Sequence, residues 1–71
     1  MKRYFEFVEG TSSKFWEVST CGNTVTVRFG RIGTSGQTQT KTLADAATAI
    51  QHAEKQVASK IAKGYQETVA C

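Results

Sequence analysis

The chain has 71 residues, 39% hydrophobic and 21% charged, with nine Lys and Arg against six Asp and Glu for a net charge of +3. A chain this short makes one domain, residues 1–71, and buries only about 60% of its unfolded surface, which leaves no room for a second domain or a deep catalytic cleft. The modest basic excess leans towards an anionic partner without naming one.

Met1-Lys2-Arg3 is followed by mixed residues and not by the apolar run of a signal peptide. No stretch approaches the roughly 20 apolar residues of a membrane span. Cys21 and Cys71 lie far apart and match no metal-ligand spacing. The expectation is therefore a cytoplasmic chain with reduced thiols, in which Cys71 can link two copies only after oxidation.

The first strand is Arg3-Tyr4-Phe5-Glu6-Phe7-Val8-Glu9, with Phe5 and Phe7 on one face and Tyr4, Glu6 and Val8 on the other. Gly10-Thr11-Ser12-Ser13 reads as a turn. A second strand over about residues 14–20 sets Trp16 and Val18 against Phe15 and Glu17, and Cys21-Gly22-Asn23 turns the chain again. The third strand alternates Val25 and Val27 with Thr24 and Thr26, a pattern suited to a half-buried pleated surface. It runs into Phe29-Gly30-Arg31-Ile32-Gly33-Thr34-Ser35-Gly36, whose glycines suggest a bulge at Gly30 and a turn between Gly33 and Gly36. Residues 37–41 alternate Gln and Lys with Thr, as suits a polar edge strand.

The pattern changes at Thr42, where a hydroxyl precedes Asp45 by three positions, close to a capping box. Apolar residues at 43, 46, 47, 50, 53, 57 and 61 predict a helix over residues 43–63. Its Leu43, Ile50, Val57 and Ile61 are expected over Trp16, Val18, Val25 and Val27. Lys60 and Lys63 favour the helix dipole, and Gly64 suits the position after the C-cap. The expected fold is α+β, a four-stranded antiparallel meander with one C-terminal helix on one face.

The stretch from Phe29 to Gln37 resembles the signature of the WGR domain family, named for a Trp-Gly-Arg tripeptide. The likeness extends through Lys14-Phe15-Trp16-Glu17-Val18, Glu54-Lys55 and the run from Lys60 to Tyr65, and so covers nearly the whole chain. WGR domains occur in poly(ADP-ribose) polymerases, where they contact DNA ends and neighbouring domains, and in small bacterial proteins, which this sequence resembles more. One departure is Phe29, which stands where the family usually has Trp. Phe cannot donate an indole N–H, although its ring can still stack.

The candidate residues carry two readings each. Phe29 shares strand parity with Val25 and Val27, which places it in the core, whereas the resemblance places it at a nucleic-acid surface. Arg31 is a solvated arginine or pairs with Glu17 or Glu9, or else it recognises phosphate or a partner's carboxylate. Lys14 and Lys41 can add to a basic rim, and Arg28 points to the opposite strand face. His52, Lys55, Lys60 and Lys63 read as surface residues, and Tyr65 as packing at the helix end. Tyr4, Phe15 and Arg28 fall on the sheet face away from the helix.

The sequence has no Ser-His-Asp or Cys-His constellation, no paired carboxylates within one element and no phosphate loop. It calls for no catalytic residue, metal, cofactor, small-molecule substrate or membrane. The reading is a non-catalytic binding module for DNA or RNA, with Phe29, Gly30, Arg31, Gly33, Thr34 and Gly36 meeting a backbone or strand end beside Lys14 and Lys41. The alternative is a protein-interaction module that uses the same surface or the open sheet face.

Overall fold

Alternation of apolar and polar residues over the first forty positions builds a sheet, and the alanine-rich segment that follows supplies the helix that covers it. A computed structural model describes residues 2–68. In chain order the elements are β1 (Lys2–Glu9), β2 (Ser12–Cys21), β3 (Thr24–Arg31), β4 (Gln37–Thr42), α1 (Ala46–Ala62) and β5 (Gln66–Glu67). The strands form one antiparallel sheet in the order β4-β3-β2-β1-β5. The four-strand meander thus gains a fifth, two-residue strand on its β1 edge. Arg3 fastens that strand with two hydrogen bonds to the Glu67 carboxylate, at 2.8 and 2.7 Å.

Register determines which residues share a face. Phe5 is opposite Trp16, which is opposite Phe29, and Val18 is opposite Val27. This is the helix face. The core is Phe5, Trp16, Val18 and Val25 under Ala49, Ala53 and Val57, with Val27, Phe29, Leu43 and Tyr65 partly buried against it. On the other face Tyr4, Phe15 and Arg28 form a stack: the Tyr4 and Phe15 rings lie 6.0 Å apart, and the Arg28 guanidinium sits 5.0 Å over Phe15. Arg28 also pairs with Glu17 at 3.5 Å. The face without a helix is thus covered by its own side chains, and Phe15 is buried.

The helix begins three residues later than its pattern predicts. Thr42 ends β4, and Asp45 is itself the N-cap, its carboxylate accepting the Thr48 N–H at 2.7 Å. The C-terminus follows the expected form. Gly64 has φ +101°, its N–H donates to the Ile61 carbonyl, and the Tyr65 N–H donates to the Lys60 carbonyl.

The buried stripe is narrower than the predicted one: Ala53 and Val57 are buried as expected, and Ala49 joins them where Ile50 and Ile61 were expected. Ala49, Ala53 and Val57, spaced by four, face the sheet, while Ile50 and Ile61 are 41% and 52% exposed. Packing turns the small residues inward, where they let the helix backbone approach Trp16 and Val18. No helix among the described residues is long and apolar enough to cross a membrane. Cys21 is an exposed free thiol, and Cys71 lies outside the described residues.

Candidate functional site

The site starts from the regularity of β3. Phe15 pairs with Gly30 and Lys14 with Arg31, so the ladder runs unbroken through the glycine, without the expected bulge. Strand parity therefore holds, and the side chain of Arg31 belongs to the same face as that of Phe29. Lys14, directly across from Arg31, shares that face, as does Lys41 across from Val25.

The helix does not cover the whole of this face. It packs on β2 and β3 and leaves an open groove of about 1110 Å³ beside it, over β2, β3 and β4. Phe29, Val27 and Trp16 contribute the apolar part of its lining, and His52, Gln56, Ser59 and Lys60 line it from α1. An open groove of this size is a feature that chain length alone does not suggest.

Charge is unevenly distributed around it. Of the nine Lys and Arg residues, Lys2, Arg3 and Arg28 are held in ion pairs with Glu17 or Glu67. Among the remaining six, Lys14, Arg31, Lys41 and Lys60 line the groove, and no acidic residue among those described does. Neither Glu17 nor Glu9 pairs with Arg31: Glu17 engages Lys2 and Arg28 on the opposite face.

Lys60 is the residue the sequence reading placed elsewhere. Its Nζ lies 5.7 Å from the centroid of the Trp16 ring and 5.3 Å from that of Tyr65, half-buried in the groove wall. Burial pushes its pKa below the ordinary lysine value, and the neighbouring charges of Lys63 and Lys14 push it the same way. Its spacing from Val57, three positions along the helix, could have signalled this orientation. His52 is also half-buried here and not on the open surface.

The signature glycines stand apart from these residues. Gly30 shares the opposite face with Phe15 and Arg28, and the turn from Gly33 to Gly36 folds back over it. A Cβ on Gly30 would lie 2.7 Å from the Gly36 Cα; one on Gly36 would lie 2.4 Å from the Phe29 carbonyl oxygen and 2.7 Å from Phe15 Cζ. Thr34 ties the turn to its own strand, its hydroxyl and N–H both donating to the Arg31 carbonyl, at 2.7 and 3.1 Å. The structure thus brings Phe29, Arg31, Lys14 and Lys41 together at the groove. It sets Gly33, Thr34 and Gly36 behind β3, with Gly30 as the close-packed hinge between the two groups.

Comparison with known proteins gives a consistent picture. The family model described as the WGR domain matches residues 1–70. The chain is 36% identical over 67 residues to the Escherichia coli uncharacterized protein YfeS, and 40% identical over 65 residues to E. coli protein YehF. These matches cover 94% and 92% of this chain but only 28% and 24% of the relatives, which are much longer. A crystal structure of a Bacteroides fragilis protein superimposes with a TM-score of 0.94 at 45% identity, over 97% of this chain and 20% of that one.

Proposed function

This chain belongs to the WGR domain family, and we propose that it is a non-catalytic module that binds nucleic acid along the groove beside its helix. One observation carries the reading: four cations without an ion-pair partner among the described residues surround an aromatic floor, and no described acid shares the groove. Phosphates supply the matching charge, and bases or sugars supply faces for Phe29. In this reading Arg31 and Lys14, paired across β2 and β3, form one end of a cationic rim that Lys41 and Lys60 continue. Gly30, Gly33, Thr34 and Gly36 contribute by holding β3 and its turn in place. Phe29 acts through its ring alone, since it has no N–H to donate.

The test is the salt dependence of binding. Two or three neutralised phosphates give a slope of log affinity against log salt of about −2 to −3. Arg31→Ala is expected to leave the melting temperature nearly unchanged, weaken oligonucleotide binding and flatten that slope by about one unit. Arg28→Ala, on the opposite face and engaged with Glu17, is expected to leave the slope unchanged. Equal slope losses from the two variants would mean diffuse attraction and no site at the groove. Absence of binding at low salt would overturn the reading in favour of a protein partner.

A further inference from the structure

The chain closes one edge of its sheet and leaves the other open. β5 sits on the middle of β1, opposite Phe5 and Glu6, and Arg3 fastens it there through Glu67. β4, at the other edge, pairs with β3 over all six of its residues and with no second strand among those described. Its outward N–H and C=O groups are a template for another strand, which proteins usually block by shortness, proline, bulges or inward charge. β4 has an ordinary strand length, no proline and an unbroken register, and Lys41 is its one charge. We propose that β4 pairs antiparallel with β4 of a second copy of this chain, so that the two grooves join across the seam.

Three arguments choose a second copy over a foreign strand. The first is that β4 matches itself. A two-fold axis perpendicular to the sheet pairs residues of like parity, so threonines at 38, 40 and 42 meet threonines on one face. On the other face, with the axis at Gln39 or Thr40, Lys41 lies across from Gln37 or Gln39 of the second copy and never from its own image. A foreign strand is selected by pockets for its alternate side chains, whereas the six side chains of β4 are all exposed and polar. The second argument is closure: with β5 seated on β1, pairing through β4 stops at two copies and builds no fibre. The third is the groove, which α1 walls on one side only. The same axis sets both helices on one side of the joined sheet, so each groove gains the other copy's α1 as its far wall, beyond Gln39 and Lys41.

Sedimentation velocity without nucleic acid, up to about 1 mM protein, reads the pairing independently of the salt-slope test. The mass is expected to rise from monomer to dimer and no further. In a chain carrying Cys21→Ser and Cys71→Ser, Gln39→Cys and Thr40→Cys are tested singly. The one on the axis opposes its image at about 4.5–5.5 Å between Cβ atoms and is expected to form a disulfide under mild oxidation. Ile50→Cys, exposed on the flank of α1 away from the groove, is expected to stay monomeric. Adjacent residues of a strand direct their N–H groups to opposite edges, so one of Gln39→Pro and Thr40→Pro removes only an outward N–H. That variant is expected to melt close to the parent chain and to raise the dimer dissociation constant at least about tenfold. If both proline variants fold poorly, the cysteine variants still read the pairing. A monomer at every concentration, with no disulfide at either position, would overturn the proposal. So would a dimer that a well-folded proline pair leaves intact, or one that cross-links as readily through Ile50→Cys. Species larger than a dimer would overturn closure at two copies.

Discussion

Placing an alanine at each glycine of the signature in turn separates backbone conformation from close packing as the reason these residues are glycine. Gly33 has φ +95° and nothing within 4 Å of where a Cβ would stand, so Gly33→Ala costs only the strain of a positive φ, about 1–2 kcal/mol. Gly30 has no such φ, but its Cβ would meet the Gly36 backbone at 2.7 Å, an overpacking of about 1–3 kcal/mol. Gly36 combines both, with φ +70° and a Cβ at 2.4 Å from a carbonyl oxygen, and the sum is about 2–5 kcal/mol. At about 0.05–0.15 kcal/mol per residue this chain holds roughly 4–11 kcal/mol in all, so Gly36→Ala removes a large share of it. Thermal melts followed by circular dichroism provide the assay, at about 4–8 °C per kcal/mol for a domain of this size. The expected order of destabilisation is Gly36→Ala, then Gly30→Ala, then Gly33→Ala. If Gly36→Ala melts within a few degrees of the parent chain, the turn does not pack on Phe15 and Phe29 as described. The glycines would then serve something other than close approach.

Two further outcomes test the helix. Ile50→Ala is expected to cost less than about 1 kcal/mol because Ile50 is largely exposed, whereas Val57→Ala, within the buried stripe, is expected to cost about 2 kcal/mol, both by chemical denaturation. The Asp45 carboxylate is held below its ordinary value of 3.8 by the hydrogen bond from Thr48. Its contribution is present above that ordinary value and is lost as the pH falls through the lowered one. Asp45→Asn keeps a capping oxygen that does not titrate, so the stability difference between the two proteins is expected to move against the parent chain in acid; a constant difference down to pH 2 would refute the cap.

What was legible in the sequence followed from short-range rules. Strand parity placed Phe5 with Phe7, Trp16 with Val18 and Phe29 with Val27, because side chains alternate whatever the rest of the fold does. Gly64 closed the helix as expected, since a left-handed residue after the C-cap is a local requirement. The parts that were not legible depend on how elements meet. The two-residue β5 carries no pattern of its own and exists because the chain leaving Gly64 passes the open edge of β1. The helix stripe was legible at Leu43, Ala53 and Val57 but not at its edge, where Ala49 is buried and Ile50 and Ile61 are exposed because the sheet favours close approach. Gly30 suggested a bulge, but the glycine is needed for the turn that crosses above a regular strand. Lys60 read as a solvated cation because its aromatic neighbours, Trp16 and Tyr65, are distant or unpatterned in sequence.

The same small residues that bring the helix close also explain why the groove exists. Ala49 and Ala53 seat α1 deeply against the sheet, beside Trp16 and Val18. A helix seated that deeply on one part of a five-stranded sheet leaves the strands towards β4 without a roof. Across the groove from α1, β4 presents a row of exposed polar residues from Gln37 to Thr42. The flank of α1 that faces the opening carries His52, Gln56, Ser59 and Lys60, while Ile50 and Ile61 lie on its other flank. A helix selected only to cover the sheet would set its isoleucines towards the uncovered strands and its polar flank outward. This one does the reverse, with a polar flank aimed into the groove at some cost in buried apolar area. That arrangement, together with the turn folded away behind β3, leaves Phe29 half-buried and Arg31 exposed at the groove while Tyr4, Phe15 and Arg28 cover the opposite face.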